Sequence, residues 1–374
     1  MILGGHHAAS SESTPSAHDP NYKIRVQLTL LNVLNDVNAD DRQASKLVRL
    51  LQYNQVLSAP ITAEAFLTDG PSTPDEVRSI QQEILRFLQT KDKYAALASM
   101  LLKSKTFYGI HEQQKQVDGT DIMKISRSAV SLPRTQHKKP YIPVSLTIGN
   151  SKRNEEDVYP ISISHQHPFV GIAQLLETDI DEHSETPLLV GMDIVVFEEY
   201  NDRLYSSEDE FLEVFQDYFT NREFALIQGQ KQQSFRLQEF YIRWSMKEAY
   251  AKALGVGMGV DFSSFDLLLS SDTEASCTGV FASMSELQGD SNNIYSQIGF
   301  MEDLKGMAPR KCWEFAFLPL LETGEGEESS NAAAKGCACV CIGPFGSAPP
   351  QLRMELLIQW TELNSLIEWH QSLP

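Results

Sequence analysis

The sequence predicts an α/β (α+β) fold of two pseudo-symmetric halves, each a small sheet with packed helices. Three observations carry that expectation. Runs with the two-residue alternation of strands recur between segments of helical periodicity. The strand-and-helix mixture of residues 22–189 returns over 190–374, although no residue-level repeat accompanies it. The chain of 374 residues, 42% hydrophobic and 22% charged, has the composition of a soluble globular protein with apolar mass for one large or two modest domains.

Residues 1–20 are rich in Ser, His, Ala, Pro and Gly and lack core-forming periodicity, so they are expected to be disordered. The N-terminal half, 21–189, opens with the alternating strand 24–30 and a helical segment at 42–57. Pro71 and Pro74 break the chain, and Thr73-Pro74-Asp75-Glu76 starts a helix over 76–88. Residues 91–103 read as a further helix whose positive end lies beside Lys91 and Lys93, a polarity that suits phosphate. Residues 132–143 carry Pro133, Pro140 and Pro143 with Arg134, Lys138 and Lys139, which excludes a helix and predicts a pinned basic loop. A strand over 159–167 ends in Ser162, Ser164, His165 and Gln166, and 170–173 is the next strand. Ser164 and His165 are adjacent, so in a strand they face opposite ways, which argues against a hydrolase nucleophile and base.

The C-terminal half, 190–374, begins in the apolar run 188–196, interrupted by Asp193. A carboxylate there is costly to bury unless it is paired or binds a cation. An acidic loop over 198–210 leads into an amphipathic helix with Phe211, Phe215, Tyr218 and Phe219, and Thr220-Asn221-Arg222-Glu223 has capping-box spacing. Residues 241–255 read as a helix of strong formers closed by Gly255. Glu248 and Lys252 share one face of it, and Lys247 is rotated about 100° from Glu248. An acid between cations is a candidate metal and phosphate site, and the same spacing also makes an ordinary ion pair on a wet helix face. Gly255, Gly257 and Gly259 follow a helix rather than a strand, so they do not form a dinucleotide-binding loop. Strands are expected at 265–269, 295–300, 312–318 and 336–342, with a flexible insertion at 322–335.

A net charge of −19 argues against a general nucleic-acid binder. Within residues 86–152, however, twelve Lys/Arg stand against four Asp/Glu, a local basic region suited to a small polyanion. Five cysteines form no plausible disulfide framework. Cys337, Cys339 and Cys341 alternate and are expected on one strand face as small buried residues. With no apolar run near ~20 residues and no signal peptide, no membrane contact and a cytoplasmic location are expected.

Four separated pieces together resemble the Sfp-type 4′-phosphopantetheinyl transferases, in particular their larger, fungal-like eukaryotic members. They are the basic Lys-Pro loop from Arg134 to Pro140, the Ser-His strand end Ser162-Ile163-Ser164-His165-Gln166, Gly191-Met192-Asp193, and Trp244-x-x-Lys247-Glu248-x-x-x-Lys252. The helix beginning at Lys91 is similar to that family's Arg-Asp segment. Order and spacing agree over about residues 85–260.

The resemblance implies transfer of 4′-phosphopantetheine from coenzyme A to a serine of apo acyl- or peptidyl-carrier domains, including an aminoadipate-reductase type used in lysine biosynthesis. It implies coenzyme A across the junction of the halves, held by Lys91, Arg134, Lys138, Lys139, Pro140, Ser162, Ser164, His165 and Gln166. It also implies Mg²⁺ on Asp193 and Glu248, with Glu248, Lys252 and Lys247 as the catalytic group. The protein is expected to act as a monomer. Three departures stand out: Val195 where some members carry a third acid, Ile161-Ser162 before the Ser-His step, and Lys91 for an arginine. A catalytically silent carrier-binding protein and a metal-dependent nucleotide phosphatase are the alternatives.

Overall fold

The structure is a computed structural model that describes residues 23–33, 61–62, 84, 86–118, 130–132, 139–143, 158–159, 161–178, 188–198, 203–230, 232, 235–256, 259–273, 279–286, 294–304, 310–321, 334–345 and 353–372. It is a mixed α+β fold with two main sheets. In chain order the first sheet uses β1 (Lys23–Asn32), β2 (Ile161–Gln166) and β3 (Phe169–Thr178). The second is formed by β4 (Leu189–Val196), β5 (Phe265–Leu269), β6 (Tyr295–Asp303), β7 (Lys311–Leu321) and β8 (Ala334–Gly343). The last strand, β9 (Arg353–Thr361), returns to the first sheet and pairs parallel with β1. The strand orders are β9-β1-β3-β2 and β4-β8-β7-β6-β5, and every pairing in the second sheet is antiparallel.

The layers follow from strand alternation. Ile24, Val26, Leu28 and Leu30 of β1 are buried on one face, as their spacing predicts, against Val190, Met192 and Ile194 of β4 and Val340 of β8. That core lies between the sheets. On the outer side of the first sheet, helix α1 (Thr90–Asp118) packs on Ile161, Val170 and Ile172. It runs past residue 103, where the sequence pattern suggested an end, because Phe107, Tyr108 and Ile110 continue its buried stripe and no proline interrupts it.

The second half adds α2 (Glu208–Val214), α3 (Asn221–Gln228), α4 (Arg236–Leu254), α5 (Val280–Glu286) and the terminal α6 (Leu363–Ser372). Helix α4 covers the outer face of the second sheet, where Cys337, Cys339 and Cys341 lie fully buried on one face of β8. It ends as expected at Gly255, whose φ of +72° is the left-handed conformation glycine accepts without strain. The capping box at Thr220 and Glu223 is formed.

Residues 353–372 belong in space to the first sheet and its helices, although the chain division at 189/190 puts them in the second half. The apolar stripe Met354 and Leu356 completes the core beside β1. The segments 1–20, 42–57, 76–83, 257–258 and 322–333, together with Arg134 and Lys138, lie outside the described residues. Ala334 and Lys335, the end of the proposed insertion, begin β8. Among the described residues no helix is long and apolar enough to cross a membrane.

Candidate active site

The edges of the two sheets meet along β2 and β4, and side chains join them. Ser162 Oγ accepts from Met192 N at 2.9 Å, Ser164 Oγ from Ile194 N at 3.2 Å, and Gln166 Oε1 from Val196 N at 3.0 Å. Alternate residues of one strand thus satisfy alternate edge amides of the other, which would otherwise be buried without partners.

The same alternation on β4 sends Gly191, Asp193 and Val195 toward α4. A Cβ at Gly191 would stand 1.9 Å from the Ala249 carbonyl oxygen and 2.8 Å from the Ala253 Cβ, so only glycine lets α4 lie this close. Close approach brings Asp193 against the face of α4 that carries Lys252. Lys252 Nζ is 2.6 Å from Asp193 Oδ1 and 2.8 Å from Ser164 Oγ, and Ser164 Oγ donates to the same Asp193 oxygen at 2.8 Å.

These groups open into a cavity of about 580 Å³. Its polar wall holds Ser164, His165, Gln166, Asp193, Glu248 and Lys252, joined by Arg86 and Lys103. An apolar wall is formed by Ile84, Phe87, Met100, Leu132, Ile163 and Trp244, with Pro140 also lining the space. Burial raises the carboxyl pKa of Glu248, Asp193 raises it further, and Lys252 opposes both. Burial lowers the pKa of the His165 imidazole, and the Lys252 charge adds to that.

Two carboxylates that repel one another on the wall of this cavity are a fitting donor pair for a hard divalent cation. Mg²⁺ commonly takes one or two carboxylates and completes its shell with water and phosphate oxygens. Among the described residues no group of three or more His, Cys, Asp or Glu side chains is placed to hold a metal ion, and Val195 is a core residue against α4.

Four residues expected at the site face elsewhere. Lys247 is 1% exposed; its Nζ pairs with Glu223 Oε2 at 2.8 Å and donates to the carbonyls of Phe262 and Phe265. Lys139 Nζ donates to the carbonyls of Ala253 at 2.9 Å and Val190 at 3.2 Å, tying the Lys-Pro loop to the end of α4. Ser162 is buried in the β2–β4 junction and does not line the cavity. Lys91 is exposed in the first turn of α1 and acts electrostatically on His167 rather than lining the cavity.

Arg86, Lys103, Ser99 and Trp244 were not singled out from the sequence as site residues. Ala96, Ser99, Met100 and Lys103 follow the spacing of one helix face, and that face of α1 forms the cavity wall. Ser99 Oγ is enclosed there without a hydrogen-bond partner among the described residues. The Trp244 ring packs edge-on against Tyr218 and Phe215, at 5.4 and 5.9 Å.

A family model described as the 4′-phosphopantetheinyl transferase superfamily matches residues 189–295. The chain is 28% identical over 211 residues to a Xenopus laevis protein named L-aminoadipate-semialdehyde dehydrogenase-phosphopantetheinyl transferase, covering 56% of this chain and 58% of that protein. It is 28% identical over 198 residues to the Homo sapiens protein of the same name, covering 52% and 54%. To the Aneurinibacillus migulanus 4′-phosphopantetheinyl transferase gsp it is 25% identical over 185 residues, covering 50% and 58%. The chain thus spans just over half the length of these relatives. The part of the chain similar to the 4′-phosphopantetheinyl transferase superfamily, residues 189–295, thus runs from the strand that carries Asp193 through the helix that carries Glu248.

Proposed function

We propose that this protein transfers 4′-phosphopantetheine from coenzyme A to a serine hydroxyl of an apo carrier-protein domain and releases adenosine 3′,5′-bisphosphate. The observation that carries the reading is the convergence of Asp193, Glu248 and Lys252 on one cavity wall. The names of the relatives support the same reaction and make an aminoadipate-reductase type of carrier a natural first acceptor. We place the enzyme in the cytoplasm as a monomer.

Displacement at a pyrophosphate phosphorus calls chiefly for charge neutralisation and in-line positioning. Mg²⁺ held by Asp193 and Glu248 would neutralise charge on the pyrophosphate. Lys252 would face a phosphate oxygen, and His165 with Arg134 and Lys138 would hold the nucleotide's phosphates. Glu248 would take the serine proton on its carboxylate as the hydroxyl attacks. A carboxyl pKa raised by burial and by Asp193 makes it a stronger base than an ordinary glutamate. Ser162, Lys139 and Lys247 would shape the site from behind, holding β2, the Lys-Pro loop and α4.

The test is to incubate the full chain with coenzyme A, Mg²⁺ and several apo carrier domains and to weigh each carrier. A gain of one phosphopantetheine mass is expected on at least one. Carriers left at their original mass would refute transfer, and release of phosphate from the nucleotide without any carrier would indicate a phosphatase instead.

A further inference from the structure

We propose that Lys252 is the resting counter-ion of the Asp193–Glu248 pair, so that divalent-cation binding depends on a polyphosphate ligand that draws its ammonium away. The proposal rests on the reading that this cavity takes coenzyme A with Mg²⁺, and it deepens that reading by assigning an order to the two.

Asp193 Oδ1 is engaged by two donors, Ser164 Oγ at 2.8 Å and Lys252 Nζ at 2.6 Å. Lys252 stands one helical turn beyond Glu248 on α4, so its charge also acts on that carboxylate. The ammonium therefore occupies the Asp193 oxygen on which a divalent cation would bind. A cation that binds carboxylate oxygen at about 2.0–2.1 Å would be crowded against it, with like charges at close range.

Lys252 can move and Asp193 cannot. The lysine side chain is 28% exposed and reaches its partners over a flexible stem. Asp193 is fixed on a central β4 position, and its side chain is 11% exposed. A phosphate oxygen entering the cavity offers the ammonium an alternative anion, and its departure leaves both carboxylates to the metal. In linkage terms, the apparent metal affinity of the free protein is reduced by the fraction of molecules in which Lys252 is withdrawn. By reciprocity coenzyme A must raise metal affinity by the same factor that the metal raises coenzyme A affinity.

The experiment titrates the full-length protein with Mn²⁺, reading free Mn²⁺ by electron paramagnetic resonance at fixed pH, with and without coenzyme A. Mn²⁺ bound by coenzyme A alone is subtracted. Wild type is expected to bind Mn²⁺ weakly and to tighten when coenzyme A is present. Lys252→Met, and Lys252→Gln as a second variant, should bind Mn²⁺ alone about tenfold or more tightly than wild type, the scale on which a neighbouring charge shifts an ionic equilibrium. Both should show a smaller further gain from coenzyme A. Circular dichroism of each variant establishes that it is folded. Equal Mn²⁺ affinities in wild type and folded variants, or weaker binding by the variants, overturn the proposal. This titration does not read transfer, so failure of the carrier assay would overturn the reaction while these affinities decide the role of Lys252.

Discussion

Ser164 Oγ donates a 2.8 Å hydrogen bond to Asp193 Oδ1 across the line where the two sheets meet. The same oxygen accepts from Ile194 N at 3.2 Å and from Lys252 Nζ at 2.8 Å. A hydroxyl has one proton and two lone pairs, and all three are used here. Ser164→Ala should leave the Ile194 amide unpaired and Asp193 free to turn, whereas Ser162→Ala breaks an equivalent backbone bond without touching Asp193. Each substitution should cost about 1–3 kcal/mol in urea unfolding. The fall in kcat should be much larger for Ser164→Ala, and equal kcat values would remove Ser164 from the site.

Glu248 is half-buried on the cavity wall beside Asp193, with no role in the apolar core. Glu248→Gln keeps the shape and removes both the base and one anionic metal ligand. Transfer should fall by at least about 10²–10⁴-fold, the range for loss of a positioned base, while circular dichroism stays unchanged. Carrier priming at the wild-type rate would exclude Glu248 from the chemistry.

Lys247 and Glu223 form a buried ion pair, 1% and 2% exposed, that ties α4 to α3. Glu223 also accepts from Thr220 N and Leu267 N, so it anchors a helix start and a strand at once. Lys247→Met strands this carboxylate and should cost about 3–5 kcal/mol. Adding Glu223→Gln removes the orphaned charge and should recover part of that loss. If the double variant is no more stable than Lys247→Met, the pair does not carry the stability.

Much of this was legible in the sequence for local reasons. Alternation exposed the buried face of β1 and the cysteine face of β8, and Gly255 marked the end of α4 because only its backbone readily turns left-handed there. Asp193 was legible because a carboxylate in an apolar strand needs a partner. Lys247 was not, because it sits beside Glu248 on a helix buried on more than one side, and composition does not say which cation faces the cavity. The family resemblance places Lys139 on coenzyme A, but its Nζ donates to the carbonyls of Ala253, at the end of α4, and Val190, a tertiary contact that no spacing announces. The return of β9 to β1 is a pairing across more than 300 residues, and nothing local encodes it.

The Lys139 ammonium has its pKa lowered to about 8 by burial. The unfolded chain holds that proton up to about 10.4, so between these values the unfolded state binds more protons and folded stability rises with pH. Below the folded pKa both states are charged and the burial cost is present in full; above the unfolded value it is relieved. Nearby Cys341, its thiol pushed up to about 12, stays largely neutral through this window. Wild type should therefore gain about 1–3 kcal/mol on Lys139→Met between about pH 7.5 and 10.5. A stability difference that is flat or falls with pH would contradict the burial of this charge.

Gly191 sets how closely α4 lies on β4, and that spacing decides whether Lys252 and Glu248 reach Asp193. The obstacle to a side chain is backbone, the Ala249 carbonyl at 1.9 Å from a built Cβ, so no rotamer change relieves it. Gly191→Ala must push helix and strand apart, at a cost of about 1–3 kcal/mol by the scale of overpacked cores. Gly109→Ala is the matched control, because its added Cβ meets nothing within 4 Å and gains helix propensity. Urea unfolding should show the first variant destabilised and the second unchanged or stabilised. Carrier priming by Gly191→Ala should fall further than its folded fraction alone explains, because separation of the two elements also lengthens the 2.6 Å contact between Lys252 and Asp193. Priming that tracks the folded fraction alone would show that the site tolerates the displacement.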